Sequence, residues 1–128
     1  MRLLITGVAG FIGYHTVKEM IKRRYEIVAI DSLIRGKPER LKELKEKEAR
    51  VYIVDIREEK EIKKIIKKEK AEAVIHLAAL ISVEESFQKP LLYNSINAGG
   101  TLSLLRARTE AGIEKFIYIS TTTVYGNP

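Results

Sequence analysis

The sequence predicts an α/β fold with one doubly wound parallel sheet, and three observations support that prediction. Five short runs rich in valine, isoleucine and leucine recur along the 128 residues. Each run is almost continuously apolar instead of alternating, which is typical of a strand covered on both faces. The segments between the runs have helical periodicity. Strands that alternate with helices imply right-handed crossovers and, most simply, the strand order 3-2-1-4-5.

The strands are expected where the apolar runs lie, at residues 2–6, 26–30, 51–54, 73–77 and 116–120. The first helix is expected at residues 11–24. Its predicted sheet-facing side chains are Ile12, His15, Thr16, Met20 and Ile21. The second helix, at residues 38–48, has only Leu41 and Leu44 as apolar positions, which indicates a short, exposed helix.

The third and fourth helices are longer. The third, at residues 58–70, carries a stripe of isoleucines on one face and lysines on the other. The fourth begins at Pro90, whose fixed φ suits a first helical turn, and ends near Gly112. Its predicted buried residues are Leu92, Ile96, Leu102 and Leu105.

Length and composition favour a single domain in a reducing compartment. No stretch rich in Pro, Gly or Ser divides the chain as a linker would. The absence of cysteine excludes disulfides, thiolate nucleophiles and cysteine metal sites, so a cytoplasmic location is expected. No run of about 18 apolar residues occurs, and no membrane partner is predicted.

The net charge of +6 is compatible with nucleic-acid binding, but its placement argues against that function. The lysines of residues 61–70 lie among glutamates on the solvated face of the third helix, and no aromatic residues interleave with them as stacking platforms. No nucleic-acid partner is therefore predicted. Neither His15 nor His76 has a carboxylate or a second histidine at ligand spacing, so no metal is predicted.

A glycine-rich turn follows the first strand and opens the first helix. In a dinucleotide-binding turn, Gly7 would permit the tight bend, Gly10 would leave room for the pyrophosphate, and Gly13 would let the helix pack closely. The N–H groups at the helix N-terminus would face the anion. A P-loop is excluded because no Gly-Lys-Ser/Thr follows. Phe11 and Ile12 are included among the predicted cofactor-binding residues.

An acidic residue ends the second strand and favours NAD over NADP as the cofactor. The carboxylate of Asp31 can accept hydrogen bonds from both adenosine ribose hydroxyls and would repel a 2′-phosphate. The adjoining Ser32 is also predicted to contact the cofactor. Arg35 and Lys37 could in principle receive a 2′-phosphate, but their loop of mixed charge favours a surface role.

Asp55 and Ile56 follow the third strand and complete the predicted adenosine site. Asp55 stands where a carboxylate could reach the adenine amino group. Its alternative role is an N-terminal helix cap.

The spacing Gly-x-x-Gly-x-x-Gly resembles that of the short-chain dehydrogenase/reductase superfamily. Two segments, His76-Leu77-Ala78-Ala79 and the run from Ser120 to Gly126, narrow the resemblance to nucleotide-sugar epimerases and dehydratases of the extended type. Between them the same order and spacing are kept by Val83, Ser86, Pro90, Tyr93, Asn97, Gly100 and Thr101. The resemblance implies an NAD-binding Rossmann domain over residues 1–128 and a nucleotide-sugar substrate.

The resemblance also implies roles for single residues. Those that would line the cofactor are Leu77, Ala78, Ala79, Asn97 and Ser120. The hydroxyl of Thr121 would bond the sugar oxygen that loses its proton, beside the nicotinamide ring. In the family a tyrosine from a Tyr-x-x-x-Lys pair removes that proton, while a hydride passes between the sugar and the nicotinamide.

That pair is expected beyond Gly126, so the chain is expected to lack the catalytic base, the last strands and the substrate domain, and to be inactive alone. One Tyr-x-x-x-Lys string does occur, from Tyr14 to Lys18, but on the first helix its geometry is wrong, and we interpret it as coincidence. The apolar segment 116–119 is expected to be an unpaired edge strand, which predicts self-association into a homo-oligomer.

Alternatives to an epimerase remain open. The chain could be a stand-alone NAD-binding or regulatory module without turnover, a nucleotide-sugar dehydratase, or an NADP-dependent reductase of the same superfamily. The run Thr121-Thr122-Thr123, without an Asp-Glu pair, favours an epimerase over a dehydratase.

Overall fold

A computed structural model of the protein describes residues 1–127. Five parallel strands form one sheet in the order β3-β2-β1-β4-β5. Their bounds are Arg2–Thr6 (β1), Glu26–Asp31 (β2), Arg50–Ile53 (β3), Ala73–His76 (β4) and Lys115–Tyr118 (β5). The predicted fold class and strand order are confirmed, and no strand end differs from the prediction by more than two residues.

Helices cover both faces of the sheet, which is why the central strands read as continuous apolar runs. On β1, Leu3 and Ile5 pack into one core and Leu4 into the other. The first core lies against α1 (Phe11–Lys22) and α2 (Pro38–Glu46), and the second against α3 (Glu59–Glu69) and α6 (Thr101–Glu110). Alternate side chains of a strand point to opposite faces, so a strand between two helical layers must be apolar throughout.

The buried face of α1 is centred on other residues than those predicted. Ile12 and His15 are exposed, with Ile12 61% accessible, while Gly13 and Val17 form the buried contact. The reason is Gly13, which has no side chain and so does not register in a pattern of apolar residues, although it packs against the backbone of Gly7 and Val8. Met20 and Ile21 do pack against the core as predicted.

A short helix that was not predicted, α4 (Val83–Gln88), comes before the helix predicted from Pro90 to near Gly112. The predicted helix forms but is not regular, because it contains α5 (Pro90–Tyr93), a π-helical segment (Asn94–Gly100) and α6. The extra residue per turn in the π-helical segment shifts the face that follows. As a result Leu102, predicted to be buried, is 58% exposed, and Leu104 and Ala107 are buried in its place.

The remaining helices agree better with the sequence. The isoleucine stripe of α3 is buried, and Leu41 and Leu44 are the buried residues of α2. Within residues 1–127, no helix combines the length and the apolar character needed to cross a bilayer.

Candidate functional site

The carboxyl ends of the parallel strands lie along one edge of the sheet, where doubly wound folds bind their ligands. Most of the predicted site residues lie in the turns and loops that follow those strand ends, and Asn97 lies on the π-helical segment. They are described in turn from the glycine turn after β1 to the loop after β5.

The glycine turn depends on the absence of side chains at two of its three glycines. Gly7 has a φ of +75°, and a Cβ there would lie 2.7 Å from the backbone nitrogen of Ala78. A Cβ on Gly13 would overlap the carbonyl oxygen of Gly7 and lie 2.7 Å from its carbonyl carbon. Both predicted tasks, the tight bend and the close packing of helix on strand, are therefore met. Gly10 is the extended N-cap residue of α1 and has no side-chain cap.

Asp31 ends β2 with its carboxylate against the glycine turn. Oδ2 accepts a hydrogen bond from the Ala9 N–H at 2.9 Å, and Oδ1 accepts one from the Leu33 N–H at 2.7 Å. The residue is only 9% exposed. Because each carboxylate oxygen has a second lone pair, Asp31 can still accept from a ribose hydroxyl while it fixes the loop.

Three residues near the glycine turn that were predicted to contact the cofactor differ in solvent exposure. Phe11 and Ile12 open α1 and are 69% and 61% exposed. Ser32 is partly buried, and its hydroxyl oxygen accepts a hydrogen bond from the Ile34 N–H at 3.3 Å.

Asp55 follows β3 and is held by Arg57. The guanidinium donates to both carboxylate oxygens, at 3.1 Å and 2.8 Å, and these bonds hold the pKa of Asp55 below its ordinary value. The N-cap of α3 is Glu58, so the alternative role of Asp55 as that helix cap is wrong. Ile56 is 4% exposed, and a Cβ on Gly100 would lie 2.5 Å from its side chain. Ile56 is therefore a packing residue in this structure.

Two threonines that sequence reasoning missed hold His76 at the end of β4. The hydroxyl oxygen of Thr6 accepts the N–H groups of Leu77 and Ala78, both at 3.1 Å, so its own proton is directed to His76 Nδ1, 2.7 Å away. The Nε2–H of the histidine then donates to the Thr101 hydroxyl at 2.8 Å.

His76 is 1% exposed, and burial lowers its pKa to about 4. A neutral ring is also what the hydrogen bonds require, because Nδ1 acts as an acceptor. The chain of bonds continues from the Thr101 hydroxyl to the carbonyl oxygen of Asn97 at 2.6 Å. It therefore ties the end of β1, the end of β4 and the π-helical segment into one unit.

Asn97 uses its side chain to hold the loop that follows β4. Its Oδ1 accepts the Leu80 N–H at 2.8 Å and its Nδ2 donates to the Leu80 carbonyl at 2.9 Å. The π-helical segment thus brings an amide to a loop where Leu77 and Ala78 are partly buried and Ala79 is exposed. π-Helical turns occur frequently at functional sites, and this one shapes the predicted cofactor surface.

The loop after β5 carries Ser120 and Thr121, both exposed. The Thr121 hydroxyl accepts the Thr123 N–H at 3.2 Å and lies 2.9 Å from the Thr123 hydroxyl. By contrast, Tyr14 and Lys18 of the dismissed Tyr-x-x-x-Lys string contact each other and Glu43 of α2. That string lies on α1 and contacts α2.

An ion pair that the sequence did not reveal crosses the same edge of the sheet. Arg35, in the loop after β2, pairs with Glu85 of α4, fifty residues further along the chain. Glu85 also accepts the Tyr93 hydroxyl at 2.8 Å and pairs with Lys89 at 3.1 Å. Within the described residues, no group of three or more His, Asp or Glu side chains is placed to hold a metal.

Comparison with known proteins gives a consistent result. The sequence profile of the NAD dependent epimerase/dehydratase family matches residues 3–128. Curated relatives include a UDP-glucose 4-epimerase of Haemophilus influenzae, 41% identical over 131 residues that cover 100% of this chain and 39% of that protein. A UDP-glucose 4-epimerase of Klebsiella pneumoniae is 42% identical over 130 residues, which cover 99% of this chain and 94% of that protein.

Solved structures agree with the sequence relatives. The UDP-glucose 4-epimerase of Stenotrophomonas maltophila, with bound NAD and formylated UDP-arabinopyranose, has a TM-score of 0.94 and 33% identity over 100% of this chain and 39% of that chain. The dTDP-glucose 4,6-dehydratase DesIV of Streptomyces venezuelae, with NAD bound, has a TM-score of 0.91 and 31% identity over 100% and 42%. This chain spans about two fifths of the length of both solved proteins.

Proposed function

The chain belongs to the NAD-dependent epimerase/dehydratase family, and we propose that it binds NAD and forms the cofactor-binding part of a nucleotide-sugar epimerase. The observation that carries this proposal is the hydrogen bond between the glycine turn and Asp31. The Ala9 N–H of the turn donates to the carboxylate that ends β2, so the pyrophosphate position and the ribose position are fixed relative to each other.

The same carboxylate supports NAD over NADP. Asp31 is almost fully buried, and its carboxylate is held by two backbone N–H groups. A 2′-phosphate would have to approach this fixed negative charge, which costs free energy that the ribose hydroxyls of NAD do not pay. An NADP-dependent reductase is thereby disfavoured.

The assignment to epimerisation rests on relatives whose names state that activity. Bound NAD supplies hydride transfer, and the chain's own residues position the reactants. We assign to the exposed hydroxyl of Thr121, in the loop after β5, a hydrogen bond to the sugar oxygen that loses its proton. A threonine hydroxyl is too weak an acid to serve as a base at neutral pH, so Thr121 orients the sugar. We therefore expect this chain to show no turnover by itself.

Two further functions are each favoured by a specific observation. A nucleotide-sugar dehydratase is supported by the likeness to the dTDP-glucose 4,6-dehydratase. A stand-alone NAD-binding module is supported by the completeness of the cofactor edge, where Asp31, His76 and Asn97 already have their hydrogen-bond partners. A homo-oligomer, formed through the exposed edge of β5, is part of the same proposal.

Calorimetric titration of the chain with NAD and then with NADP tests the proposal. NAD should bind more tightly than NADP, and Asp31→Asn should weaken NAD binding at least tenfold because the neutral amide is a poorer acceptor for ribose hydroxyls. Glu114→Gln, an exposed change at the other end of β5, is the matched control and should have no effect. Binding of neither cofactor by the folded chain would refute the proposal.

A further inference from the structure

We infer that Glu85 is a cofactor-specificity residue, which holds the guanidinium of Arg35 across the carboxyl edge of the sheet and so denies it to the 2′-phosphate of NADP. The inference rests on the proposed binding of NAD and deepens it. Asp31 supplies the repulsion of a 2′-phosphate, and Glu85 removes the cation that would offset that repulsion.

The topology gives the ion pair its position. Arg35 follows β2 and Glu85 follows β4, while β1 lies between these two strands in the sheet. Neighbouring strands are about 4.8 Å apart, so the side chains meet across roughly 10 Å of sheet edge. The pair therefore bridges the edge from which the glycine turn arises.

Arg35 is next to the ribose-binding carboxylate. A Cβ on the adjoining Gly36 would lie 2.9 Å from Asp31 Oδ1, and the Lys37 N–H donates to the Ala9 carbonyl at 3.1 Å. The loop that carries Arg35 is thus pressed onto the glycine turn beside Asp31. An arginine in this neighbourhood is the residue type that receives a 2′-phosphate, because its planar fork can bind two phosphate oxygens.

A second arginine of this region already has other partners. Arg40 donates to the Ala9 carbonyl at 3.1 Å, and its guanidinium lies 5.4 Å from the centre of the Tyr14 ring. Arg35, in contrast, is 56% exposed and reaches out from its loop to Glu85. Its orientation is therefore set by that carboxylate.

Glu85 is well anchored for this task. It accepts the hydroxyl of Tyr93, which is 8% exposed, and its backbone N–H is capped by the Ser82 hydroxyl at 3.2 Å. Hydrogen bonds from Arg35, then Tyr93 and Lys89, lower the pKa of Glu85 to about 2. The carboxylate is consequently charged throughout the neutral range and keeps its hold on Arg35.

The test is the ratio of NADP to NAD affinity in Glu85→Gln, measured by calorimetric titration. Glutamine keeps the length of the side chain and can still bond Tyr93, but it no longer holds Arg35 by charge. We expect NADP to bind at least tenfold more tightly than in the unmodified chain, with less than a twofold change for NAD. Arg35→Gln in the same background should cancel the gain. Glu84→Gln, which removes the same charge one residue away, is the control and should leave the ratio unchanged.

Three results would overturn the inference: unchanged affinities for both cofactors, a gain for NADP that persists without Arg35, or an equal gain for NAD and NADP. The last would mean that Arg35 acts on the pyrophosphate that both cofactors share. These outcomes can be distinguished from failure of the proposed function. That failure would appear as a lack of NAD binding by the unmodified chain. Thermal unfolding of each variant shows whether the fold is intact.

Discussion

Gly13 and His76 illustrate two ways in which single residues shape the carboxyl edge of the sheet. Gly13 acts through the absence of a side chain, which lets α1 approach the carbonyl of Gly7. His76 acts through a full set of hydrogen bonds, which lets a polar ring stay buried and neutral between Thr6 and Thr101. Both effects can be measured by single substitutions.

Replacing Gly13 with alanine should lower the free energy of unfolding by about 3 kcal/mol, the upper range for overpacking a well-packed site. The added Cβ would meet rigid backbone atoms of Gly7 and Val8, which cannot rotate away. Denaturant unfolding provides the measurement. Gly99→Ala is the matched control, since a Cβ there would meet only the Asn94 oxygen at 3.9 Å. Equal stability of the two variants would contradict the prediction.

Stability should fall as the pH is lowered from about 6.5 toward 4 because of His76. Its pKa in the folded protein is about 4, below the ordinary 6.5, so the unfolded chain binds a proton that the folded chain does not. One such proton corresponds to a slope of about 1.4 kcal/mol per pH unit. Above pH 6.5 the residue contributes no slope.

The measurement for His76 is the pH dependence of denaturant unfolding, compared between the unmodified chain and His76→Gln. The difference in slope between the two should appear in this window and nowhere above it. If the variant does not fold, NMR titration of the His76 ring decides the question directly. A ring that becomes protonated near pH 6.5 in the folded protein would refute the prediction.

At the scale of elements, the π-helical segment Asn94–Gly100 connects the cofactor edge to the helical layer. It places Ile96 in the core, Asn97 against the loop after β4, and Gly100 against Ile56. The wider turn of the π-helical segment changes the direction of Asn97 relative to α6, compared with a regular α-helix.

Asn97→Ala should destabilise the loop after β4 by about 2 kcal/mol, because the N–H and C=O of buried Leu80 would both lose their partner. Hydrogen exchange of the Leu80 amide is the direct measurement, and its protection should drop more than that of strand amides. Asn94→Ala, at an exposed position of the same segment, serves as the control. Unchanged protection at Leu80 would show that the amide contact contributes nothing.

At the scale of the whole molecule, the sheet has two edges that differ in character. The edge strand β5 exposes Ile117 and Tyr118, with 55% and 58% of their surface accessible, and Ile119 follows at 44%. The opposite edge strand, β3, exposes Ile53 but is bordered by Arg50. An apolar edge with open hydrogen-bonding groups favours pairing with another strand.

We therefore expect the chain to self-associate through β5. Ile117→Lys should shift the molecular mass measured by light scattering toward that of a monomer, because a charge at an edge opposes strand pairing. Ile53→Lys, on the β3 edge, is the matched control and should leave the mass unchanged. A monomer mass for the unmodified chain at every concentration would contradict this expectation.

The sequence by itself determined the fold class, the strand order and the glycine turn. These features are encoded locally: near-continuous apolar runs mark buried strands, and glycines at fixed spacing mark the turn that follows β1. The family resemblance rested on the same kind of local pattern, and the match over residues 3–128 confirmed it.

The tertiary structure alone decided the features that depend on which strand ends lie side by side. Thr6 meets His76 across 70 residues of sequence, and Arg35 meets Glu85 across 50. The sequence pattern does not predict such pairs, because neither partner differs from other polar residues of its own segment. The buried face of α1 and the position of the π-helical turn also depend on tertiary packing. Close packing at Gly13 and Gly100 overrides the pattern of apolar side chains.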